Sequence, residues 1–370
     1  MLNLVITIIM KYKNVMFTGL ILLLAYHLSA QSVSEKRSFT KSLPLSKDAR
    51  LEVINKYGDI QITTWKRDSV HIVAEIEAFA PNHSKLQKML EGIEINITGT
   101  GSLIRAETEF GREITVLLES FKGITGKIID YDSRVQINYF INIPDDVDIN
   151  IENQFGDISI GNNTGVVSVT LSKGDFDANS LNRISGLSLD FGNAEIGSVK
   201  SGKINTTFSK IIIRQSDDLS INSTSTKFEL GKTEKVNVES RRDKFYIGDI
   251  AGISGISYFT DYKIENLTGN TDLDLKYGSF DAARVDDHFE KININSDYSD
   301  ITADFDPSAS FEFDIRHNNA FVVLPDKNIK SEKQALNEDK KEYLITGEIG
   351  NSPGSRKVKI DAKRGNIYIK

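Results

Sequence analysis

The feature that most constrains this chain is an internal period of 17 to 21 residues between positions 153 and 303. Nine blocks repeat a turn-forming centre followed by alternating residues: NQFGDISI (153–160), LSKGDFDA (171–178), LDFGNAEI (189–196), TTFSKIII (206–213), STSTKFEL (223–230), SRRDKFYI (240–247), YFTDYKI (258–264), LKYGSFDA (275–282) and SDYSDITA (296–303). The blocks end on nine apolar residues: Ile160, Ala178, Ile196, Ile213, Leu230, Ile247, Ile264, Ala282 and Ala303. Their spacings are 18, 18, 17, 17, 17, 17, 18 and 21 residues. A period this steady, with a constant apolar end, predicts stacked coils, that is, a β-solenoid.

Each coil contains short alternating segments such as KVNVES (235–240) and KFYIGD (244–249). Alternation places every second side chain on one face, and a single coil cannot bury that face alone. Stacking buries a continuous apolar column and pairs each backbone with the coils above and below. At about 4.8 Å per rung, nine coils extend roughly 40 Å.

The corner of the repeat carries glycine at 156, 174, 192 and 278, which predicts a positive φ at the glycine. Serine, threonine or aspartate replaces glycine at 209, 226, 243 and 260, so the corner is expected to tolerate more than one geometry. Two fragments outside the period share the signature, NKYGDIQI (55–62) and RGNIYI (364–369).

The flanking regions complete an all-β prediction. Residues 31–150 are predicted as an N-terminal β-rich region with a short helix near 83–91, which Asn82 caps and Gly92 ends. Residues 151–305 form the regular solenoid with coils of about 17–18 residues. Residues 306–370 form an irregular coil and a C-terminal β cap, since an exposed last rung would invite aggregation.

The N-terminus has the layout of a secretory signal peptide over residues 1–30, with Met10 as an alternative start. Lys11 and Lys13 precede the apolar run VMFTGLILLLAY (15–26), which is shorter than the ~20 residues of a membrane-spanning helix. Cleavage after Ala30 therefore predicts an exported chain, in the periplasm or at the cell surface, without a stable membrane span.

Composition excludes several classes of protein. The chain has 370 residues, no cysteine and a net charge of −7. Disulfides, thiolate metal sites, cysteine nucleophiles and a lipoprotein anchor are therefore excluded. The acidic balance argues against a nucleic-acid partner, and Arg241–Arg242 is interpreted as solvated surface rather than a basic cluster.

A search for chemistry predicts no catalytic, cofactor or metal residues and leaves the binding residues unknown. His71, His83, His288 and His317 are far apart in sequence, and His317 is expected at a corner. The acid groups at 145–148, 272–274 and 297–300 are too isolated to suggest a calcium cage.

One stripe of the repeat mixes acids and bases and predicts charge balance on a solvent-exposed face. Its members are Asp157, Asp175, Asn193, Lys210, Lys227, Lys244 and Asp300. The exposed aromatics Tyr258 and Tyr277 either stack on sugars or bracket a turn.

The run VQINYFINIPDDVDINIENQFGDISI, with NKYGDIQITTW upstream and SKLQKMLEG between them, resembles the bacterial β-strand-repeat proteins catalogued as "putative adhesins", the DUF4097 type. The resemblance covers about residues 45 to 370. It implies an exported β-solenoid with no assigned catalytic residues. The loss of glycine from four consecutive corners departs from a uniform coil.

These observations favour a non-catalytic exported solenoid that presents a polar surface to an envelope or surface partner, either protein or glycan. Two alternatives are a carbohydrate-active parallel β-helix enzyme, which requires a lateral groove with clustered acids, and an envelope stress or sensing component.

Overall fold

The computed structural model describes residues 32–112 and 134–370, so the predicted signal peptide lies outside the described residues. The predicted fold class is confirmed: the described chain is an all-β solenoid with a single short helix. Within residues 32–112 and 134–370, no helix has the length and apolar character needed to cross a membrane.

The regular coils are built from long, bent strands. These are β9 (Ile158–Ser172), β10 (Phe176–Asp190), β11 (Asn193–Thr207), β12 (Lys210–Thr224), β13 (Lys227–Arg241), β14 (Lys244–Tyr258) and β15 (Asp261–Lys276). Each pairs in parallel with the next, and the nine predicted apolar residues are all buried. They stack in register from Ile160 to Ala303. The predicted inward column is therefore confirmed.

Differences in coil length are absorbed away from the corner of the repeat. The register shifts between Ile184 and Leu187 in β10, and an irregularity between Ile250 and Gly252 accommodates Thr268–Gly269 in β15. The longest spacing corresponds to a loop at 286–290, between β16 and β17, which buries Phe289. The corner of the repeat is unaffected, because the extra residues lie within the long strands or in the loop at 286–290.

The strands before the regular coils are β1 (Val33–Pro44), β2 (Arg50–Ile54), β3 (Ile60–Thr64), β4 (Ser69–Ala80), β5 (Ile93–Thr100), β6 (Leu103–Phe110), β7 (Arg134–Ile143) and β8 (Asp148–Gln154). Strands β2 and β3 form one coil around Tyr57. This coil is inserted between β6 and β7 on one side and β8 and β9 on the other. NKYGDIQI and NQFGDISI are thus adjacent rungs, with Ile60 opposite Ile158.

The strands after the regular coils are β16 (Ser279–Val285), β17 (Lys291–Asp297), β18 (Asp300–Phe305), β19 (Phe311–Asn318), β20 (Phe321–Val323), β21 (Ile329–Asn337), β22 (Glu342–Ile349), β23 (Lys357–Lys363) and β24 (Asn366–Ile369). The last two strands insert between earlier coils: β23 lies between β17 and β19, and β24 between β18 and β20. RGNIYI therefore occupies the same column as the other fragments.

The end of the stack is covered by antiparallel strands. β22 pairs with β19, and β21 pairs with β22. β21 is exposed and carries Lys330, Glu332 and Lys333. Charged side chains on an edge strand oppose pairing with other chains, which fits the predicted cap.

The described residues divide into two compact units. The smaller contains 32–37, 75–94, 110–112 and 134–136, and the larger contains 38–74, 95–109 and 137–370. The smaller unit holds the helix α1 (His83–Glu91), which Asn82 caps by accepting from the Lys85 N–H at 2.9 Å. Leu86, Met89 and Leu90 form its buried face. The domain boundaries predicted at 150 and 305 stay a prediction.

Candidate functional site

The corner of each coil is a residue in the left-handed conformation, with φ between 50° and 68°. In stacking order these residues are Tyr57, Phe155, Lys173, Phe191, Phe208, Ser225, Arg242, Phe259, Tyr277, Tyr298, Arg364 and Asn319. The prediction that glycine supplies the positive φ is wrong by one residue, because the residue before it does so. At each step, the N–H of the corner residue donates to a carbonyl of the next coil, as from Phe155 to Ser172 at 3.0 Å.

Glycine follows the corner where the coils approach too closely for a side chain. An ideal Cβ at Gly156 would lie 2.0 Å from the Gly58 carbonyl oxygen. At Gly174 and Gly192 the equivalent distances, to Gly156 and Gly174, are 2.1 and 1.9 Å. Close backbone approach, rather than φ, is therefore the reason for glycine here.

The corner takes two hydrogen-bonding arrangements. Where glycine follows the corner residue, an aspartate side chain accepts the hydrogen bond between adjacent coils. The Asp175 N–H donates to Asp157 Oδ1 and the Asn193 N–H to Asp175 Oδ1, both at 2.8 Å. Between corners with serine or threonine, the backbone accepts it, as from the Lys227 N–H to the Ser209 carbonyl at 3.0 Å. The corner φ is similar in both arrangements, so the corners differ in their hydrogen bonding and not in their backbone geometry.

Where threonine or aspartate follows the corner residue, these side chains build a buried polar column inside the coil. Thr226, Asp243 and Thr260 are almost fully buried. The Asp243 carboxylate accepts from the hydroxyls of Ser223 and Ser240, both at 2.6 Å. It also accepts from the backbone N–H groups of Thr226 at 2.7 Å and Arg241 at 3.1 Å. Four donors satisfy this carboxylate, so burial does not leave it unpaired.

Two buried tyrosines have raised pKa values. Burial raises the pKa of Tyr139 to about 12, although its hydroxyl contacts Thr108 Oγ1 at 2.8 Å. Burial also raises the pKa of Tyr262, whose hydroxyl bonds the Ser257 hydroxyl. Both hydroxyls are therefore held in structural hydrogen bonds within the core.

The mixed-sign stripe is in register, with Asn193, Lys210, Lys227 and Lys244 on successive coils. Its acids have a structural contact that the sequence did not predict. Asp59, Asp157, Asp175 and Asp300 each accept the backbone N–H of the next coil.

Stacked aromatic rings occupy the corner column on both sides of Ser225 and Arg242. Tyr57 stacks on Phe155 at 5.4 Å between ring centroids, and Phe191 stacks on Phe208 at 5.2 Å. Further along, Phe259, Tyr277 and Tyr298 stack at 4.9 and 5.1 Å, and the Arg364 guanidinium lies 4.6 Å from the Tyr298 ring centroid. Phe191 and Phe208 remain 57% and 56% exposed, so stacking does not remove them from water.

The second aromatic run is joined by the residues that immediately precede each corner. We call the combined surface the corner strip. It comprises Arg241, Arg242, Tyr258, Phe259, Lys276, Tyr277, Asp297, Tyr298, Lys363 and Arg364. Tyr258, Phe259, Tyr277 and Tyr298 are between 40% and 50% exposed.

The corner strip concentrates positive charge on an acidic protein. It contains five basic residues and one acid, Asp297, whose carboxylate lies 4.0 Å from Lys276 Nζ. Among the described residues, Arg241, Arg242 and Lys363 have no carboxylate within ion-pair distance. The expectation of no basic cluster is therefore wrong, because stacking joins residues up to 123 positions apart in sequence.

A cavity of about 520 Å³ adjoins the corner strip. Its lining includes Ile256, Tyr258, Lys276, Asp361 and Lys363. Asn295 donates to Asp274 Oδ1 at 2.7 Å in the same wall, and Arg316 Nε donates to Glu342 at 2.8 Å. The lining is mostly polar and charged, with Ile256 and Tyr258 as its exposed apolar and aromatic side chains.

A second groove, of about 710 Å³, is lined by residues of β3 and of the first halves of β9 to β12. Asp177 and Glu195 are register partners in it, and Arg214 bonds Glu195. Burial raises the pKa of Asp177, and the nearby charges of Glu195, Asp175 and Asp157 act in the same direction. The enzyme alternative requires a lateral groove with clustered acids, and this groove holds two, of which Glu195 is paired with Arg214.

The histidines do not converge. His317 is buried, stacks on Tyr343 at 5.4 Å, and has its pKa lowered by burial and by Lys333. His71 contacts the Ser42 hydroxyl at 2.8 Å, and His288 bonds Asp286 in an exposed turn.

The acid groups singled out in the sequence have protein partners. Asp148 accepts from the Val166 N–H at 2.8 Å, and Asp272 accepts from the Asn293 amide at 2.6 Å. Among the described residues, the one grouping of three potential metal ligands is Asp286, Asp287 and His288, which the sequence did not single out. In that group, hydrogen bonding to Asp286 raises the pKa of His288, and the same bond lowers the pKa of Asp286.

No protein-family model and no curated protein matches the chain. A structure described as a "putative cell adhesion protein" from Clostridium sporogenes is similar at 12% identity, covering 91% of this chain and 99% of that chain, with a TM-score of 0.21. A "putative adhesin" from Parabacteroides distasonis is similar at 8% identity, covering 73% and 93% respectively, with a TM-score of 0.29. At these scores neither likeness carries an argument about function.

Proposed function

We propose that the chain is a non-catalytic, adhesin-type β-solenoid of the bacterial cell envelope whose corner strip binds an extended partner. The observation that supports this is the corner strip itself, in which four exposed aromatic rings lie beside three basic residues without ion pairs. Contiguous exposed apolar groups on a soluble protein mark interaction surfaces. Export, and membership of the DUF4097-type family, belong to the same proposal and rest on the N-terminal residues and on the strand-and-turn motifs.

The test compares two matched pairs of stacked rings. Phe259→Asn with Tyr277→Asn removes rings of the corner strip, and Phe191→Asn with Phe208→Asn removes a stacked pair from the same column outside it. Asparagine tolerates the left-handed conformation of all four positions. The purified chain is immobilised, and binding of envelope fragments from the producing cells is measured by biolayer interferometry.

We expect the strip variant to bind about tenfold more weakly and the outer variant to bind like the parent chain. Equal binding by all three chains, or an equal loss in both variants, would remove the corner strip from the proposal. Export is tested separately by N-terminal sequencing of the envelope-associated protein, which should begin at Gln31.

The groove of Asp177 and Glu195 favours a second candidate, a glycan-cleaving enzyme. Glycosidases use two carboxylates, one with a raised pKa, on either side of the scissile bond. Incubation with acidic and neutral polysaccharides, followed by an assay for new reducing ends, separates the two functions. Release that Asp177→Asn abolishes would overturn the non-catalytic proposal.

A further inference from the structure

The charges of the corner strip recur along the stacking direction. In the row that precedes the corners, Arg241, Tyr258, Lys276, Asp297 and Lys363 are successive register partners. Basic residues therefore recur on every second rung, at a spacing of about 9.6 Å. Such a row is complementary to a linear polymer that presents an anionic group on the same side at alternate units.

The neighbouring row supplies hydrogen-bond acceptors. It comprises Glu239, Ile256, Asp274, Asn295 and Asp361, which are also register partners. Carboxylates and amide oxygens accept hydrogen bonds from hydroxyl groups. A ligand that spans both rows must therefore carry hydrogen-bond donors, such as hydroxyl groups, as well as anions.

From these two rows we infer that the corner strip binds an acidic polysaccharide, a hydroxyl-rich sugar chain with carboxylate groups. The inference rests on the proposed binding function and adds the chemical class of the ligand. Arg241, Arg242 and Lys363 pair with its carboxylates. The neighbouring row of Glu239, Asp274, Asn295 and Asp361, which we call the acidic row, accepts hydrogen bonds from its hydroxyls. Tyr258, a member of the basic row that also lines the cavity, packs against the sugar rings.

A single-stranded nucleic acid fits less well. Its bases require free aromatic faces, but Phe259, Tyr277 and Tyr298 cover one another, with interplanar angles of 14° and 26°. Its phosphates also lack donors for the acidic row, and the chain as a whole carries a net charge of −7.

The test uses alginate, a polyuronate, and the same polymer with its carboxyl groups chemically reduced to alcohols. The variant is Arg241→Gln, Arg242→Asn and Lys363→Gln, which removes three charges and keeps an asparagine at the left-handed corner. The control is Lys200→Gln, Lys232→Gln and Lys235→Gln, three exposed lysines outside the strip with the same change in net charge. Dextran sulfate and oligo(dT) test simple attraction of polyanions.

We expect alginate to bind at least about tenfold more tightly than its reduced form, dextran sulfate and oligo(dT). The strip variant should lose a similar factor, and the lysine control should keep the parent affinity. Equal affinity for the reduced polymer would indicate a neutral glycan and overturn the inference. Equal or tighter binding of dextran sulfate or oligo(dT), or an equal loss in the lysine control, would also overturn it.

The two proposals fail in different ways. If envelope fragments bind through the corner strip but alginate does not bind, the ligand class is wrong and the binding function stands. If neither binds, both are wrong. Thermal unfolding of each variant confirms that a lost affinity is not a lost fold.

Discussion

An alanine at Gly192 tests the packing of the corners directly. The added Cβ would lie 1.9 Å from the Gly174 carbonyl oxygen and 3.2 Å from Leu189 Cδ1. Restoring an ordinary contact requires a separation of at least 3.4 Å, so the adjacent coils must part by about 1.5 Å. No rotamer change relieves the clash with the carbonyl oxygen, because that oxygen belongs to the backbone and the added Cβ is bonded directly to Cα.

That movement breaks specific hydrogen bonds. The Asn193 N–H and side-chain amide donate to Asp175 Oδ1 at 2.8 and 3.0 Å, and neither bond survives the separation. Bonds to a charged acceptor contribute about 1.5–3 kcal/mol each, so their loss costs about 3–6 kcal/mol of unfolding free energy. Local relaxation lowers the loss, and we expect about 3–5 kcal/mol.

Gly186 provides the matched control, since it precedes the same corner and an added Cβ there meets no atom within 4 Å. Gly186→Ala should change the unfolding free energy by less than about 1 kcal/mol, and stabilisation is the expected sign. Urea unfolding followed by circular dichroism measures both variants. A Gly192→Ala protein as stable as Gly186→Ala would refute the explanation of glycine by close backbone approach.

Two further predictions concern buried polar groups. Asp243→Ala should lower the unfolding free energy by about 3–6 kcal/mol, because it removes the acceptor of four donors. Asp243→Asn keeps one acceptor oxygen and should lose less than half as much. Urea unfolding measures both variants, and a cost under about 1 kcal/mol for alanine would contradict the prediction. Burial lowers the pKa of His317, so its contribution to stability is complete above the unfolded-state pKa of about 6.5 and is lost as the pH falls through the folded-state pKa. His317→Phe, which keeps a ring against Tyr343, should reduce the fall in melting temperature between pH 7.5 and 5, and an unchanged pH dependence would contradict the assignment.

The inward column could be predicted from sequence because its signal is local and repeated. Alternation fixes which side chains share a face, and a slip of one residue would expose the whole set. Ile196, Ile213 and Leu230 can therefore be recognised in the sequence by their constant spacing of 17 residues. The capped helix was predictable for the same reason, since Asn82 and Gly92 act within one turn.

The order of the coils could not be predicted in this way. NKYGDIQI and RGNIYI resemble the other corners, but resemblance alone does not say between which coils each inserts. That choice depends on pairings between β2 and β6 and between β23 and β17, which are far apart in sequence. The position of the positive φ was missed because glycine is the usual left-handed residue, whereas here a close carbonyl requires glycine one position later.

The corner strip was missed because its residues meet only after stacking. Arg241–Arg242 looked like an isolated basic pair, and Lys276 and Lys363–Arg364 were not connected with it. Aligning the repeats at the corner residue, rather than at the apolar end, places all five basic residues in two adjacent columns. That alignment is the sequence signal that would have found the site.

The corner position accepts side chains of very different chemistry. Phenylalanine, lysine, serine and arginine all occupy it with φ between 55° and 61°, at Phe155, Lys173, Ser225 and Arg242. A left-handed residue other than glycine or asparagine costs about 1–2 kcal/mol, and ring stacking offsets about 0.5–1.5 kcal/mol. Stacking thus reduces the cost of an aromatic corner without requiring one, since Ser225 and Arg242 turn the chain equally well. Stacked aromatic corners also occur outside the corner strip, so the proposed binding role rests on the cations without ion pairs beside Phe259, Tyr277 and Tyr298.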